Sequence, residues 1–230
     1  MRITSIVLDL DDTLYLERDY VRSGMVSVGA FVTDRIGVAN FTDVVTDLWD
    51  EGHRRKLFDT ALLKLGLTPS PCLIQELVDV YRSHRPDISL LNDAIDLLEG
   101  KGDRRIALIT DGFASAQRNK IEALDLARFG FDPIIATGEL GEGFSKPHCR
   151  AFEMVMERHG AEPTAMVYVA DNPAKDFLAP KALGWRTIQI DRPDAVHPRT
   201  PPDAAHAAEL NISTLNELDA ALDQLSNAHP

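Results

Sequence analysis

Residues 5–15 read SIVLDLDDTLY, an apolar, β-branched run that closes on three carboxylates, Asp9, Asp11 and Asp12. The run over residues 3–10 is too short for a helix of its own and fits a strand buried on both faces, the texture of a parallel sheet. Three carboxylates crowded behind such a strand repel one another. They must share protons or hold a cation.

The same texture returns at residues 105–110 (RIALIT), at 165–170 (AMVYVA), more weakly at 187–190 (TIQI), and in a short AELNI segment at 208–212. Helical patterns lie between them. DAIDLLEG follows Asn92 and stops at Gly100, PHCRAFEMVMERHG opens on Pro147, and PAKDFLAPKALG opens on Pro173, with Pro180 expected to kink or end that helix early. A last helix, TLNELDAALDQL, is expected to be capped by Ser213. Strands alternating with helices predict an α/β fold, a Rossmann-like parallel sheet with helices on both faces.

Residues 16–87 interrupt that alternation with about four helical stripes and no strand pattern, for example Val21, Met25, Val28 and Val32, or Leu57, Ala61, Leu62 and Leu65. The expected organisation is therefore a first core segment at 1–15, an inserted α-helical cap at 16–87 and the remaining core at 88–230. His53, Arg54, Arg55 and Lys56 read as the solvated face of a cap helix. Trp49 and Phe58 read as packing residues. Tyr81, Arg82, His84 and Arg85 lie near the return to the core and are the cap positions expected to set specificity.

In an open parallel sheet ligands gather beyond the carboxyl ends of the strands, where helix N-termini also point. Asp9, Asp11, Thr110 and Asp171 fall at such ends, Lys146 stands just before a helix start, and Asp176 pairs with Asp171. Mg²⁺ suits this oxygen set, because it needs few protein ligands and leaves positions for phosphate oxygens. Asp9, ionised, can then act as a nucleophile, and Asp11 can serve as acid and base if the chain turns after the strand. Thr110 and the N–H groups of Asp111 and Gly112 can bind phosphoryl oxygens. Lys146 aims a positive charge at the same group, so its loss is expected to cost catalysis more than folding.

The ordered segments VLDLDDTL, LITDG, SKP and VADNPAKD resemble the four motifs of the haloacid dehalogenase-like superfamily, in the branch with a helical cap after the first motif and similar to pyrimidine 5′-nucleotidase-type phosphatases. The resemblance implies a Rossmannoid fold, Mg²⁺ and an aspartyl-phosphate intermediate. It makes Asp9 nucleophile and metal ligand, Asp11 acid/base and metal ligand through its carbonyl, Thr110 a phosphate ligand, Lys146 a charge stabiliser, Asp171 a metal ligand and Asp176 a support for a metal-bound water or Lys146. Asp12, Asp111 and Ala170 depart from the commonest pattern of Gly, Asn and Gly.

The expected activity is Mg²⁺-dependent hydrolysis of a small phosphorylated metabolite, a nucleoside monophosphate or sugar phosphate. The alternatives are a phosphomutase, a dehalogenase-like hydrolase or a non-catalytic phosphate-binding scaffold. A receiver-type signalling module is set aside, since its acids precede the phosphorylated Asp and it carries no helical insert. With 24 Lys and Arg against 36 Asp and Glu, a net charge of −12 argues against nucleic-acid polymers and anionic membranes as partners. No apolar run is long enough for a membrane span or signal core, which points to the cytoplasm. Cys72 and Cys149 are expected to be free, partly buried thiols.

Overall fold

The computed structural model describes residues 2–227, so the outermost core positions, 1 and 228–230, lie outside the described residues. The chain divides into two compact units. One comprises Met1–Arg18 with Ser89–Pro230, and the other Asp19–Ile88.

The first unit is built on six parallel strands: β1 (Ser5–Leu8), β2 (Arg105–Thr110), β3 (Ile134–Ala136), β4 (Met166–Ala170), β5 (Arg186–Ile190) and β6 (Leu210–Ile212), in the order β3-β2-β1-β4-β5-β6. The order reverses direction at β1, the switch point at which α/β sheets leave a crevice. Leu8 pairs with Leu108 on one side and Val169 on the other. Asp9 therefore follows directly after β1, while Thr110 and Asp171 each stand two residues beyond Leu8's partners. Ile6, Val7 and Leu8 are wholly buried, as a strand covered on both faces requires.

In chain order the helices are α1 (Glu17–Ile36), α2 (Phe41–Asp50), α3 (Leu57–Lys64), α4 (Pro71–Ser83), α5 (Asn92–Gly100), α6 (Ala114–Ala123), α7 (Arg150–His159), α8 (Leu178–Ala182) and α9 (Leu218–Asn227). The core of the first unit includes Phe152 of α7, whose ring meets Tyr168 and Trp185 edge-on at centroid distances of 5.0 and 5.6 Å. A buried ion pair fastens the carboxyl-terminal elements: Arg192 holds Asp93 at 2.6 and 3.1 Å and donates to the Thr13 carbonyl at 2.7 Å. Asp93 also accepts from Thr214 and from the Leu215 N–H.

The second unit holds most of α1 and all of α2–α4 around Val21, Met25, Val28, Phe41, Leu48, Leu62 and Leu77. Trp49 and Phe58 pack against this core, as expected.

Several local expectations need correction. The strand β3 carried too short an apolar run, three residues, to stand out in the sequence. The α7 helix starts at Arg150 rather than Pro147, because Pro147 belongs to the turn after Lys146. Residues 173–177 form a turn, and Pro180 sits in the first turn of the short α8, where its missing N–H has no intrahelical partner to lose. Thr214, not Ser213, caps the last helical segment by accepting from the Asn216 N–H. Residues 53–56 are exposed but lie in the connection between α2 and α3 instead of on a helix. Arg54 there stacks 3.6 Å over the Trp49 ring. Both cysteines are free, Cys149 half-buried and Cys72 exposed. No helix among the described residues is long and apolar enough to cross a membrane.

Candidate active site

The carboxyl ends of β1, β2 and β4 gather the acidic residues in one buried place. Carboxylate oxygens of Asp9, Asp171 and Asp176 lie within 4.8 Å of one another. Lys146, with no exposed side-chain surface, bridges Asp9 at 3.0 Å and Asp176 at 2.7 Å and donates to the Tyr168 hydroxyl at 3.0 Å. Burial works against the ammonium, but Asp176 and Asp9 outweigh it and hold its pKa well above the usual lysine value. Burial likewise pushes Asp9 up to about 6, with Lys146 opposing, and pushes Asp171 up to about 9, reinforced by Asp9 and Asp176.

Asp11 faces elsewhere. Its carboxylate pairs with Lys120 of α6 at 2.7 Å and accepts from the Tyr15 hydroxyl and from Gln117 at 3.4 Å. Burial favours its protonated form, yet Lys120 and Tyr15 prevail and keep it below the usual carboxylate range. The turn that redirects it passes through Asp12, at φ 50°, whose buried carboxylate accepts from the N–H groups of Glu17 and Val196 at 2.8 and 2.7 Å. A φ in this range favours glycine, and Asp tolerates it by bonding locally.

Thr110 donates its hydroxyl proton to Gln117 Oε1 at 3.0 Å, so that proton is already engaged. Gly112 adopts φ 136°, and a Cβ there would stand 2.6 Å from the Gln117 amide. Gly138 lets the 137–145 loop approach just as closely, since a Cβ at Gly138 would run into the Gly112 carbonyl oxygen. Asp111 is engaged through both of its carboxylate oxygens. Its Oδ1 accepts from Thr137 at 2.7 Å and from the Lys146 N–H at 3.1 Å, and its Oδ2 meets Lys175 at 3.3 Å. Beside this loop a cavity of about 460 Å³ is lined by Gly112, Phe113, Ala114, Gly138, Gly141, Glu142 and Ser145, and the Phe113 ring is exposed at its wall.

Sequence reasoning missed Gln117, Lys120 and Lys175. A signal existed for the first two: they share the buried stripe of α6 with Ala116 and Ile121, an unusual place for an amide and an ammonium. The positions expected to set specificity belong to the second unit. Tyr81 joins its aromatic cluster with Tyr20, Phe58 and His84, while Arg82 is half-buried and Arg85 exposed.

The donor set fits a divalent cation. When ionised, the carboxylates of Asp9, Asp11, Asp111, Asp171 and Asp176 outnumber the ammonium groups of Lys120, Lys146 and Lys175 by two, and without a cation burial and the neighbouring acids raise Asp171 to about 9. Asp171 Oδ2 is moreover buried without a hydrogen-bond partner.

The six-stranded parallel sheet carries this carboxylate–lysine cluster at its switch point, and residues 3–184 match the haloacid dehalogenase-like hydrolase family, to which the chain belongs. Among its relatives, a glyceraldehyde 3-phosphate phosphatase of Methanocaldococcus jannaschii is 28% identical over 82% of this chain and 85% of that one. An N-acylneuraminate-9-phosphatase of Mus musculus is 25% identical over 97% and 95%. Pyrimidine 5′-nucleotidase YjjG of Escherichia coli is 28% identical over 57% and 56%. Of the solved structures, a magnesium-bound HAD hydrolase, YfnB of Bacillus subtilis, superposes with a TM-score of 0.68 at 19% identity, covering 97% of this chain and all of that one. A 2-haloacid dehalogenase of Pseudomonas syringae gives 0.65 at 22% identity, covering 96% and 99%.

Proposed function

We propose that the chain is a Mg²⁺-dependent phosphomonoesterase for a small phosphorylated metabolite, working through an aspartyl phosphate on Asp9. The observation that carries this reading is the buried Asp9 carboxylate, held 3.0 Å from Lys146 and clustered with Asp171 and Asp176. The names of three relatives, two phosphatases and a pyrimidine 5′-nucleotidase, and the magnesium of one structural neighbour support it.

Asp9 and Asp171 would hold Mg²⁺ with the Asp11 carbonyl, and Asp176 would steady Lys146. The metal would supply charge neutralisation to the carboxylates and the incoming phosphate. Asp9 attacks phosphorus, and the ester oxygen departs with a proton from Asp11. A water then gives its proton to Asp11 and attacks the acyl phosphate, releasing inorganic phosphate and restoring Asp9. The N–H groups of Asp111 and Gly112 bind phosphoryl oxygens, and Lys146 stabilises the charge that develops on them. To donate, Asp11 turns from Lys120 once substrate is bound and holds a proton, taken from solvent in the first turnover and from the hydrolytic water in each later one. In this reading the helical insert acts as a cap, and its Arg82 and Arg85 select the leaving group.

The test is phosphate release with Mg²⁺ across nucleotides, sugar phosphates and aryl phosphates, joined to rapid quenching and intact-mass measurement. Wild type is expected to carry a phosphoryl adduct in turnover that Asp9→Asn lacks. An adduct on the Asp9 variant would overturn the assignment, and conversion without release of phosphate would indicate a mutase.

A further inference from the structure

Three lysines serve the carboxylates of the site, and they differ in exposure. Lys146 is fully enclosed, the Lys120 side chain is 4% exposed, and the Lys175 side chain is 30% exposed. Lys175 is thus the most exposed of the three, and its ammonium still reaches the site's Asp111 at 3.3 Å. It stands in the turn between Asp171 and Asp176, and its charge is felt by Asp9, Asp11 and Asp111. Its partner is Asp111, at the position after Thr110 whose backbone N–H is assigned to phosphate.

Asp111 divides its two oxygens between separate tasks. Oδ1 ties the loops by accepting from Thr137 and from the Lys146 N–H, a task an asparagine carbonyl would do equally well. Only Oδ2, which meets Lys175, needs the negative charge. A carboxylate beside a phosphate-binding loop would repel the substrate unless a cation masked it. The pair therefore makes sense as a unit, in which the acid tethers an ammonium at the mouth of the site and the ammonium retains donors for a second anion.

We propose that Lys175 is a further substrate-binding residue: tethered by Asp111, its ammonium donates to the phosphoryl group of the incoming ester and brings it onto Asp9. The inference rests on the phosphatase reading and deepens it. Ammonium carries three donors, so a phosphoryl oxygen can be bound without releasing Asp111.

The test compares Lys175→Met, Lys175→Arg and the double variant Lys175→Met/Asp111→Asn with wild type. Each is assayed with Mg²⁺ for KM on para-nitrophenyl phosphate, for inhibition by inorganic phosphate and for thermal stability. Lys175→Met loses the donor and unmasks the Asp111 charge, so KM and the phosphate inhibition constant should rise about ten- to a hundredfold, the worth of a charge-assisted hydrogen bond. Melting should change little. The double variant removes the unmasked charge but not the lost donor, and should fall between Lys175→Met and wild type. Lys175→Arg should recover most of the binding. Unchanged KM and inhibition in Lys175→Met would overturn the proposal. A double variant equal to wild type would overturn it too, because Lys175 would then do no more than neutralise Asp111. A wild type that hydrolyses no phosphate ester would instead bring down the phosphatase reading, an outcome separate from either.

Discussion

Replacing Lys146 by Met tests how the site's charges are balanced. The ammonium has no exposed side-chain surface and bridges two buried carboxylates, Asp9 at 3.0 Å and Asp176 at 2.7 Å. Removing one partner of a buried pair costs about 3–5 kcal/mol, because the remaining charge keeps its desolvation penalty without its attraction. At roughly 2–4 °C per kcal/mol for a chain of this size, melting should fall by roughly 6–20 °C in chelator. The sequence suggests that this substitution costs catalysis more than folding, whereas the enclosure of Lys146 between two carboxylates gives folding a cost of its own. Without Lys146 the Asp9 carboxyl rises further above its unfolded-state value, so the folded state binds a proton the unfolded state has released. The deficit should be largest near pH 8 and shrink towards pH 5, and Mg²⁺ should recover part of it. Turnover should fall about a hundred- to a thousandfold even with metal. Differential scanning calorimetry from pH 5 to 8, with and without Mg²⁺, measures this. A variant melting within about 2 °C of wild type at pH 8 in chelator, or a deficit that ignores pH, would refute the balance proposed.

Burial and the neighbouring Asp9 and Asp176 hold Asp171 near a pKa of about 9 without metal, so Mg²⁺ binding between pH 7 and 8 should expel protons and tighten as pH rises. Calorimetric titrations in two buffers of different ionisation enthalpy read the proton count, and identical heats would contradict it. By the same linkage the metal-free protein should lose stability as pH climbs from the unfolded carboxylate value, about 4, to about 9, and Mg²⁺ should restore it. Lys120→Met removes the charge that depresses Asp11, so the alkaline limb of kcat/KM on alkyl phosphates should move to higher pH; an unmoved limb would deny Asp11 the acid role. Asp11→Asn should still be phosphorylated by an aryl phosphate with an acidic phenol and then accumulate the adduct, as intact mass will show, whereas rapid hydrolysis of that adduct would count against it. Arg192→Met strands Asp93 and should cost about 3–5 kcal/mol by denaturant titration with little change in KM; a neutral result would mean that the Thr214 and Leu215 donors suffice.

Much of this molecule is legible along the chain. The runs before Asp9, Thr110 and Asp171 are predominantly apolar because both faces of a parallel sheet are covered, and that texture marks the strands and their chemically useful ends. The helical period of the 16–87 region likewise announces the helices α1–α4 that occupy it. Three-residue β3 escapes notice because so short a run has no period to read. What only the tertiary structure decides is which charges meet. The order β3-β2-β1-β4-β5-β6 sets three strand ends from distant parts of the chain side by side, and α6 then delivers Lys120 to Asp11 across 109 residues of sequence. Helical spacing shows that Gln117 and Lys120 share a face but not what that face meets. The turn at Asp12 swings the Asp11 carboxylate to Lys120 and Tyr15, while Asp176 joins the Asp9–Asp171 cluster through Lys146. Coulomb attraction falls with distance in space, and a sequence gives distance only along the chain; the residue types were therefore fixed locally, and their pairing by the sheet.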